Sequence, residues 1–493
     1  MELGYLDPGF TFYDEDFDYE DQSRSQQYDS PMITYDDGDE LLPRESDYEY
    51  EYEYDYQINV DETLTDIYNN CLYPTLSDAF SYIIPLLVAS VLLKTIAQSS
   101  HTPRQVFHGA STIIGLYIIQ RYTVECSYLL VALVAGSYLI LCLPRRCQRG
   151  PAVGFLLTNI CPVCVNREQW MQPTSWHKVR GVAMVASMKA VGVAVDSETS
   201  LIPSPLEFVG YIICPDYATL HRVNPWVRFG LCLNLRRIML AVGCLSLAFF
   251  FLSISNCWAQ WILPDTGWKN CLKLLQCFRW AVAYREALSF RASHYFISYT
   301  SGGLALLGGF SSSAATVTKP WSIELPRSLV QVVVHWNIPM HTWLKTYIFR
   351  QSRNRLGKFG AVILTYAASS LLHGLNFQLA AVLLSLGFYT YIEFQLRNEL
   401  AQTFDACIAA KKCIDQKCTH KRTANNCWWV VPINLLSSGL AIFHLAYLGL
   451  MFDTSEQQET GYSYAHAMEK WSSLSFASHW VVLAMYFAYF MIK

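Results

Sequence analysis

One histidine sits where solubility does not explain it. His373 closes the segment TYAASSLLHG (365–374) in a stretch otherwise built of apolar side chains. On a helix, Tyr366, Ser369, Ser370 and His373 fall at i−7, i−4, i−3 and i. They share one face, because residues three or four apart are neighbours on a helix, and Gly374 follows the stripe. Ionisable groups inside a bilayer are costly and face a cavity or a partner. A neutral imidazole, titrating near about 6.5 when unperturbed, can take a proton from a hydroxyl at neutral pH. A histidine that only hydrogen-bonds a neighbouring helix fits the same stripe, and the residues alone leave both readings open.

A second polar cluster precedes it: His335-Trp336-Asn337-Ile338-Pro339-Met340-His341, followed by Trp343 and Tyr347. An asparagine beside a tryptophan, two residues before a proline, interrupts a regular helix. This is either a substrate-lining segment that presents Asn337 to the His373 cavity, or an interfacial aromatic belt with a helix start. Competing chemistries lack their residues. There is no His-x4-Asp box, no Asp-His-His-Cys run, no Gly-x-Ser-x-Gly elbow and no phosphate-binding Gly-x4-Gly-Lys loop. The loop 407–427 holds Cys407, Cys413, Cys418, His420 and Cys427 without a paired Cys-x2-Cys. Those thiols read as unpaired structural groups, as S-acylation sites beside the membrane, or as metal ligands; no metal centre is assigned.

The elements that must position these groups are membrane helices. The chain of 493 residues is 52% hydrophobic and only 15% charged, against about 25% charged in a typical soluble domain. Apolar runs near 80–98, 107–120, 127–143, 151–165, 238–258, 295–311, 359–375, 377–395, 430–450 and 473–491 are candidates to cross a core about 30 Å thick. Shorter pieces near 180–195, 206–214 and 327–349 read as amphipathic or re-entrant helices. Polar backbone at membrane depth needs a protein or cavity cover, so these pieces imply a chamber. The expected fold is an all-α polytopic bundle with about ten to eleven crossings. Residues 1–62 hold 21 acidic and 2 basic side chains and include YEYEYEYDY. They read as a disordered acidic tail, leaving a basic membrane domain over 63–493. The basic stretches at 145–149, 345–358 and 397–422 are expected on the cytosolic side, and the acidic 452–470 stretch on the other. Residues 359–395 are then a hairpin that carries His373, Gly374 and Asn376 at its turn. A transporter should show an internal repeat of its hydropathy, and none is visible.

A Trp-Asn segment followed 36 residues later by a Leu-Leu-His-Gly histidine resembles the membrane-bound O-acyltransferase family. The likeness to one branch runs through PSPLEFVGY (203–211), KPWSIELPRSLVQVVVHWNIPMHTWL (319–344), TYAASSLLHG (365–374), AIFHLAYLG (441–449) and KWSSLSFASHW (470–480). The resemblance implies a helical bundle around a central chamber, with His373 as general base and Asn337 across from it. It implies an acyl or coenzyme A environment made by Trp336, Tyr347, Ser370 and Leu372; Tyr366, on the His373 face, and Gly374 after it are the other candidates for substrate binding. Where it leads one to expect a second histidine, five residues after the first, this chain has Gln378. It further implies palmitoleoyl-CoA as donor substrate, a Wnt serine as acceptor and a multi-pass endoplasmic reticulum location among membrane lipids. No permanently bound cofactor and no nucleic-acid partner are expected. A lipid, a sterol or an N-terminal amine is the alternative acceptor.

Overall fold

The computed structural model describes residues 64–98, 102–123, 127–142, 173–196, 202–214, 235–262, 276–373, 377–413, 418, 420–452 and 464–493. The acidic tail, the apolar run at 151–165, and Gly374 to Asn376 at the hairpin turn lie outside these residues.

The described fold is helical throughout. In order come α1 (Leu64–Gln98), α2 (Arg104–Tyr122), α3 (Ser127–Cys142), α4 (Pro173–Asp196), α5 (Pro205–Ile212), α6 (Leu235–Ile262) and α7 (Gln276–Leu307). Two single turns, Ser312–Ala315 and Trp321–Glu324, lead into α8 (Leu329–Trp336) and α9 (Ile338–Leu344). Then follow α10 (Arg350–Leu372), α11 (Phe377–Thr403), α12 (Val430–Gly449), α13 (Tyr464–Ser473) and α14 (Ala477–Ile492). Local chemistry explains several starts. Ser204 and Glu207 form a capping box with Pro205 at the first helical position of α5. Ser328 caps α8, and Asn337 caps α9 with Pro339 in its first turn.

Four helices, α1, α6, α11 and α12, are long and apolar enough to cross a membrane. The pair α13 and α14, bent by 73°, makes a fifth if counted as one broken span. Among the described residues the other long helices fall short of that test by length or by apolar content. The helix α7 is an example: it starts at Gln276, well before the apolar run at 295–311, and buries Arg285, Arg291 and His294. Its polar side chains are paired within the protein, which is how such groups are tolerated at membrane depth. It packs against α6 and α12, α10 packs against α11, and α11 against α14. Outward faces expose large apolar side chains, among them Leu435, Leu436, Phe490 and Met491, as lipid contact requires.

One basic stretch folds differently from its reading as a loop. Residues 345–356 are helical: a π turn at Lys345–Phe349 continues α9 directly into α10. The break falls at Gly357, with φ 69° and ψ −176°, a backbone region open essentially to glycine alone. The charged part of α10 is therefore an amphipathic continuation of α9, and the membrane-directed part runs from 358 to His373.

A disulfide joins Cys71 to Cys257, with Cα atoms 5.9 Å apart. It links the start of α1 to the end of α6, and disulfides persist on the oxidising side of a membrane. The opposite ends of these helices carry Lys94, Arg236 and Arg237. The disulfide and the distribution of basic residues thus assign the same side to the cytosol.

Candidate active site

The bend at Asn337 is held from three directions. From the segment after α7, the Ile338 amide donates to the Val317 carbonyl (2.8 Å), while the Thr318 hydroxyl and the Lys319 amide donate to the His335 carbonyl at 3.0 and 3.1 Å. From α7, His294 Nε2 bonds the Trp336 carbonyl at 2.8 Å and so carries the hydrogen on that nitrogen. The His294 ring also lies on the Trp336 indole, centroids 4.4 Å apart and planes within 4°. From α9, the Met340 amide donates to Asn337 Oδ1 at 3.0 Å. That bond fixes the carboxamide by its oxygen, so the donors of this side chain are its Nδ2 hydrogens. Asn337 is buried.

The turn ahead of α8 is anchored to α7 as well. Arg291 makes a two-pronged ion pair with Glu324, Nε to Oε1 at 2.8 Å and Nη2 to Oε2 at 2.9 Å, and the Tyr295 hydroxyl donates to Oε1 at 2.6 Å. A planar fork of this kind fixes orientation as well as distance. Tyr295 and His294 are adjacent, so one stretch of α7 sets both the approach to α8 and the bend that ends it.

His373 is the C-terminal cap of α10, at φ −82° and ψ 1°, in the sparsely populated bridge region where many active-site residues sit. Its amide donates to the Ser369 carbonyl at 3.3 Å, and its side chain is buried. Leu372, one residue before, packs with Ala368, Met340, Trp343, Tyr347, Met184, Met188, Val191 and Val317. The end of α10 that carries His373 therefore shares a core with the helix that Asn337 caps. The Trp343 indole N–H donates to the Met188 carbonyl at 3.0 Å, tying α4 to the same core. On the other side of Asn337, Trp336 belongs to a second core with Phe290, Tyr295 and Phe452.

The remaining residues marked by the sequence are distributed as follows. Tyr347 is buried in the first core. Ser370 is buried on α10. Tyr366 lies over Gly387 of α11, where a Cβ would meet its ring at 2.6 Å, so it sets the close approach of the two hairpin helices. Gly374 falls outside the described residues. Gln378 is buried and its side-chain amide donates to the Met451 carbonyl, pinning the start of α11 to the end of α12.

A cavity of about 810 Å³ opens beside this arrangement, lined by Tyr347 and by Arg327, His335, His341, Lys345, Arg350, Lys411 and Lys412. Its size suits a small-molecule ligand, and its rim carries five permanent positive charges. Three separate sequence regions supply them. Arg397 on α11 brings them together: Nε donates to the Ile408 carbonyl (2.8 Å), Nη1 to the Arg327 carbonyl (2.6 Å) and to Glu393 (3.2 Å), and Nη2 to Asn434 (3.0 Å). Glu393 in turn accepts from the Leu329 amide at 2.8 Å. His294, Arg327 and this clamp are absent from the sequence reading. Arg397 enters it only within the basic 397–422 stretch, and nothing in the spacing links His294 to a carbonyl 42 residues away.

Two buried polar groups, Asn337 and His373, thus sit on helix ends that share an apolar core, and Tyr347 of that core lines the basic cavity. A sequence model of the membrane-bound O-acyltransferase family matches residues 152–405, which include His294, Asn337 and His373. The chain belongs to this family and is an acyltransferase. It is 36% identical over 460 residues to the human protein-serine O-palmitoleoyltransferase porcupine, covering 87% of this chain and 98% of that protein. It is 32% identical to the porcupine of Anopheles gambiae, over 93% and 99% of the two chains. Against the Drosophila melanogaster porcupine it is 30% identical, over 87% of each.

Proposed function

We propose that this protein is a protein-serine O-palmitoleoyltransferase that moves a palmitoleoyl group from palmitoleoyl-CoA to a serine of Wnt proteins at the endoplasmic reticulum membrane. The names and near full-length match of its relatives support the donor chain and the acceptor class. The observation that carries the mechanism is the buried His373 cap, packed through Leu372 onto the helix that Asn337 caps.

Acyl-CoA approaches from the cytosol, with its phosphates against Arg327, Lys345, Arg350, Lys411 and Lys412. Its thioester lies toward Tyr347 and Leu372, and Trp336 and Ser370 border the chain. The acceptor serine arrives from the opposite, luminal side. Neutral His373 takes the serine proton as the oxygen attacks the thioester carbonyl. The C–O bond forms, and the Asn337 Nδ2 hydrogens donate to the developing oxyanion. Collapse breaks the C–S bond, and the imidazolium returns its proton to the departing thiolate. Proton and electron pairs balance with no covalent acyl-enzyme. Removing one oxyanion donor costs roughly 10²–10³-fold in turnover in other enzymes.

The test is acyl transfer by the purified enzyme to a Wnt-derived serine peptide. Labelled palmitoleoyl-CoA should acylate the serine peptide and not its Ser→Ala form, and unlabelled palmitoleoyl-CoA should compete better than saturated or shorter chains. Equal labelling of the alanine peptide, or acylation of lysophospholipid or sterol in preference to peptide, would assign a different acceptor.

A further inference from the structure

The loop between α11 and α12 gathers three thiols and an imidazole that the acyl-transfer chemistry does not use. The Sγ atoms of Cys407, Cys413 and Cys418 all lie within 4.8 Å of one another. His420 Nδ1 is 3.5 Å from Cys413 Sγ and 3.6 Å from Cys418 Sγ. We propose that Cys407, Cys413, Cys418 and His420 form a structural zinc site.

The distances fit a tetrahedral ion. With Zn–S bonds of about 2.3 Å and Zn–N bonds of about 2.0–2.1 Å, a tetrahedron has S–N edges near ~3.6 Å and S–S edges near ~3.8 Å. Two of the three S–N separations already match, the His420 ring needs to move toward Cys407, and the sulfurs need close by at most about 1 Å. Three soft thiolates and one imidazole are a zinc set; hard cations such as magnesium or calcium prefer oxygen.

The backbone holds the Cys407 corner in place. The Cys407 amide donates to the Arg422 carbonyl (2.8 Å) and the Arg422 amide to the Asp405 carbonyl (2.9 Å), which returns the chain beside its own start. The Cys407 carbonyl accepts from Arg327 Nη2 at 2.9 Å and from Asn434 Nδ2 at 3.1 Å. This loop lies on the side opposite the Cys71–Cys257 disulfide. Thiols on the reducing side are kept as thiols, so a metal and not a second disulfide is the expected use of the cluster. S-acylation needs thiols presented singly to lipid, whereas these converge on one point.

Zinc binding would release the thiol protons and close the segment between Cys407 and Cys413. That segment carries Lys411 and Lys412, two of the cations on the rim of the basic cavity. The site would therefore fix one wall of the cavity that faces the cytosol. Its existence does not depend on the identity of the acyl donor or acceptor.

Metal content of the full-length protein, purified in detergent without chelator, tests the proposal. Mass spectrometry should find about one zinc per chain. Cobalt(II) exchanged into the same protein should show tetrahedral d–d bands and thiolate charge transfer. The double variant Cys413→Ser, Cys418→Ser should lose both signatures, and His420→Cys should keep the metal with a red-shifted cobalt spectrum. Wild-type protein with no more zinc than the double variant, an octahedral cobalt spectrum, or recovery of these cysteines as hydroxylamine-sensitive thioesters would each overturn it. The wild-type measurements stand by themselves if a variant fails to fold.

Discussion

Asn337 works in two ways that mutation can separate. Its oxygen caps α9 by accepting from Met340, and its nitrogen is the proposed oxyanion donor. Asn337→Ser keeps a short N-cap acceptor and withdraws the amide. Turnover should fall by roughly 10²–10³-fold, while the thermal midpoint of the purified protein stays close to wild type. Asn337→Ala should lose the same turnover and, in addition, about 1 kcal/mol of stability from the missing cap. Retained turnover in the serine variant would remove Asn337 from the chemistry. His294→Phe keeps an aromatic ring on Trp336 but leaves its buried carbonyl without that donor, at a cost of about 1–3 kcal/mol. Its expected signature is a lower kcat with an unchanged KM for acyl-CoA, as befits a positioning residue; an unchanged kcat would make His294 purely structural. The sequence made Asn337 visible because a polar residue near a proline breaks a helix. It hid His294, whose role exists only once α7 and α8 are packed.

At the scale of elements, the hairpin and most apolar runs were legible, because a bilayer demands long apolar stretches and the charge pattern orients them. The described helices at 104–122, 127–142 and 430–449 follow the runs closely. The break at Gly357 was not legible: a single glycine in a charged stretch reads as loop, and only the backbone shows that helix continues on both sides of it. No atom crowds a Cβ at this position, so the effect of substitution is conformational. Gly357→Ala should cost about 1–3 kcal/mol, read as a lower thermal midpoint with lower acyl transfer. Wild-type stability in that variant would mean the bend is not required. The length of α7 was missed for a different reason. Its buried arginines and histidine lower its apparent hydropathy, and their partners lie on other elements.

For the whole molecule, the disulfide and the basic cavity define two sides. Cys71 and Cys257 are separated by 186 residues, and the cations at 327, 345, 350, 411 and 412 converge only in three dimensions. The excess of positive charge over 63–493 is legible in the sequence, but its meeting point is not. Lys411→Glu should raise the KM for acyl-CoA, increasingly so at low ionic strength where surface charges are least screened, and leave the KM for the peptide near wild type; equal shifts for both substrates would mean the cavity is not the coenzyme site. The central claim, that one buried histidine at the end of α10 is the base for acyl transfer, rests on a single comparison. Wild type and His373→Ala are purified, matched for thermal midpoint, and assayed for palmitoleoyl transfer from palmitoleoyl-CoA to a Wnt serine peptide. General-base catalysis predicts a loss of at least about 10²-fold, with acyl-CoA still bound. Transfer at the wild-type rate by folded His373→Ala protein would contradict it.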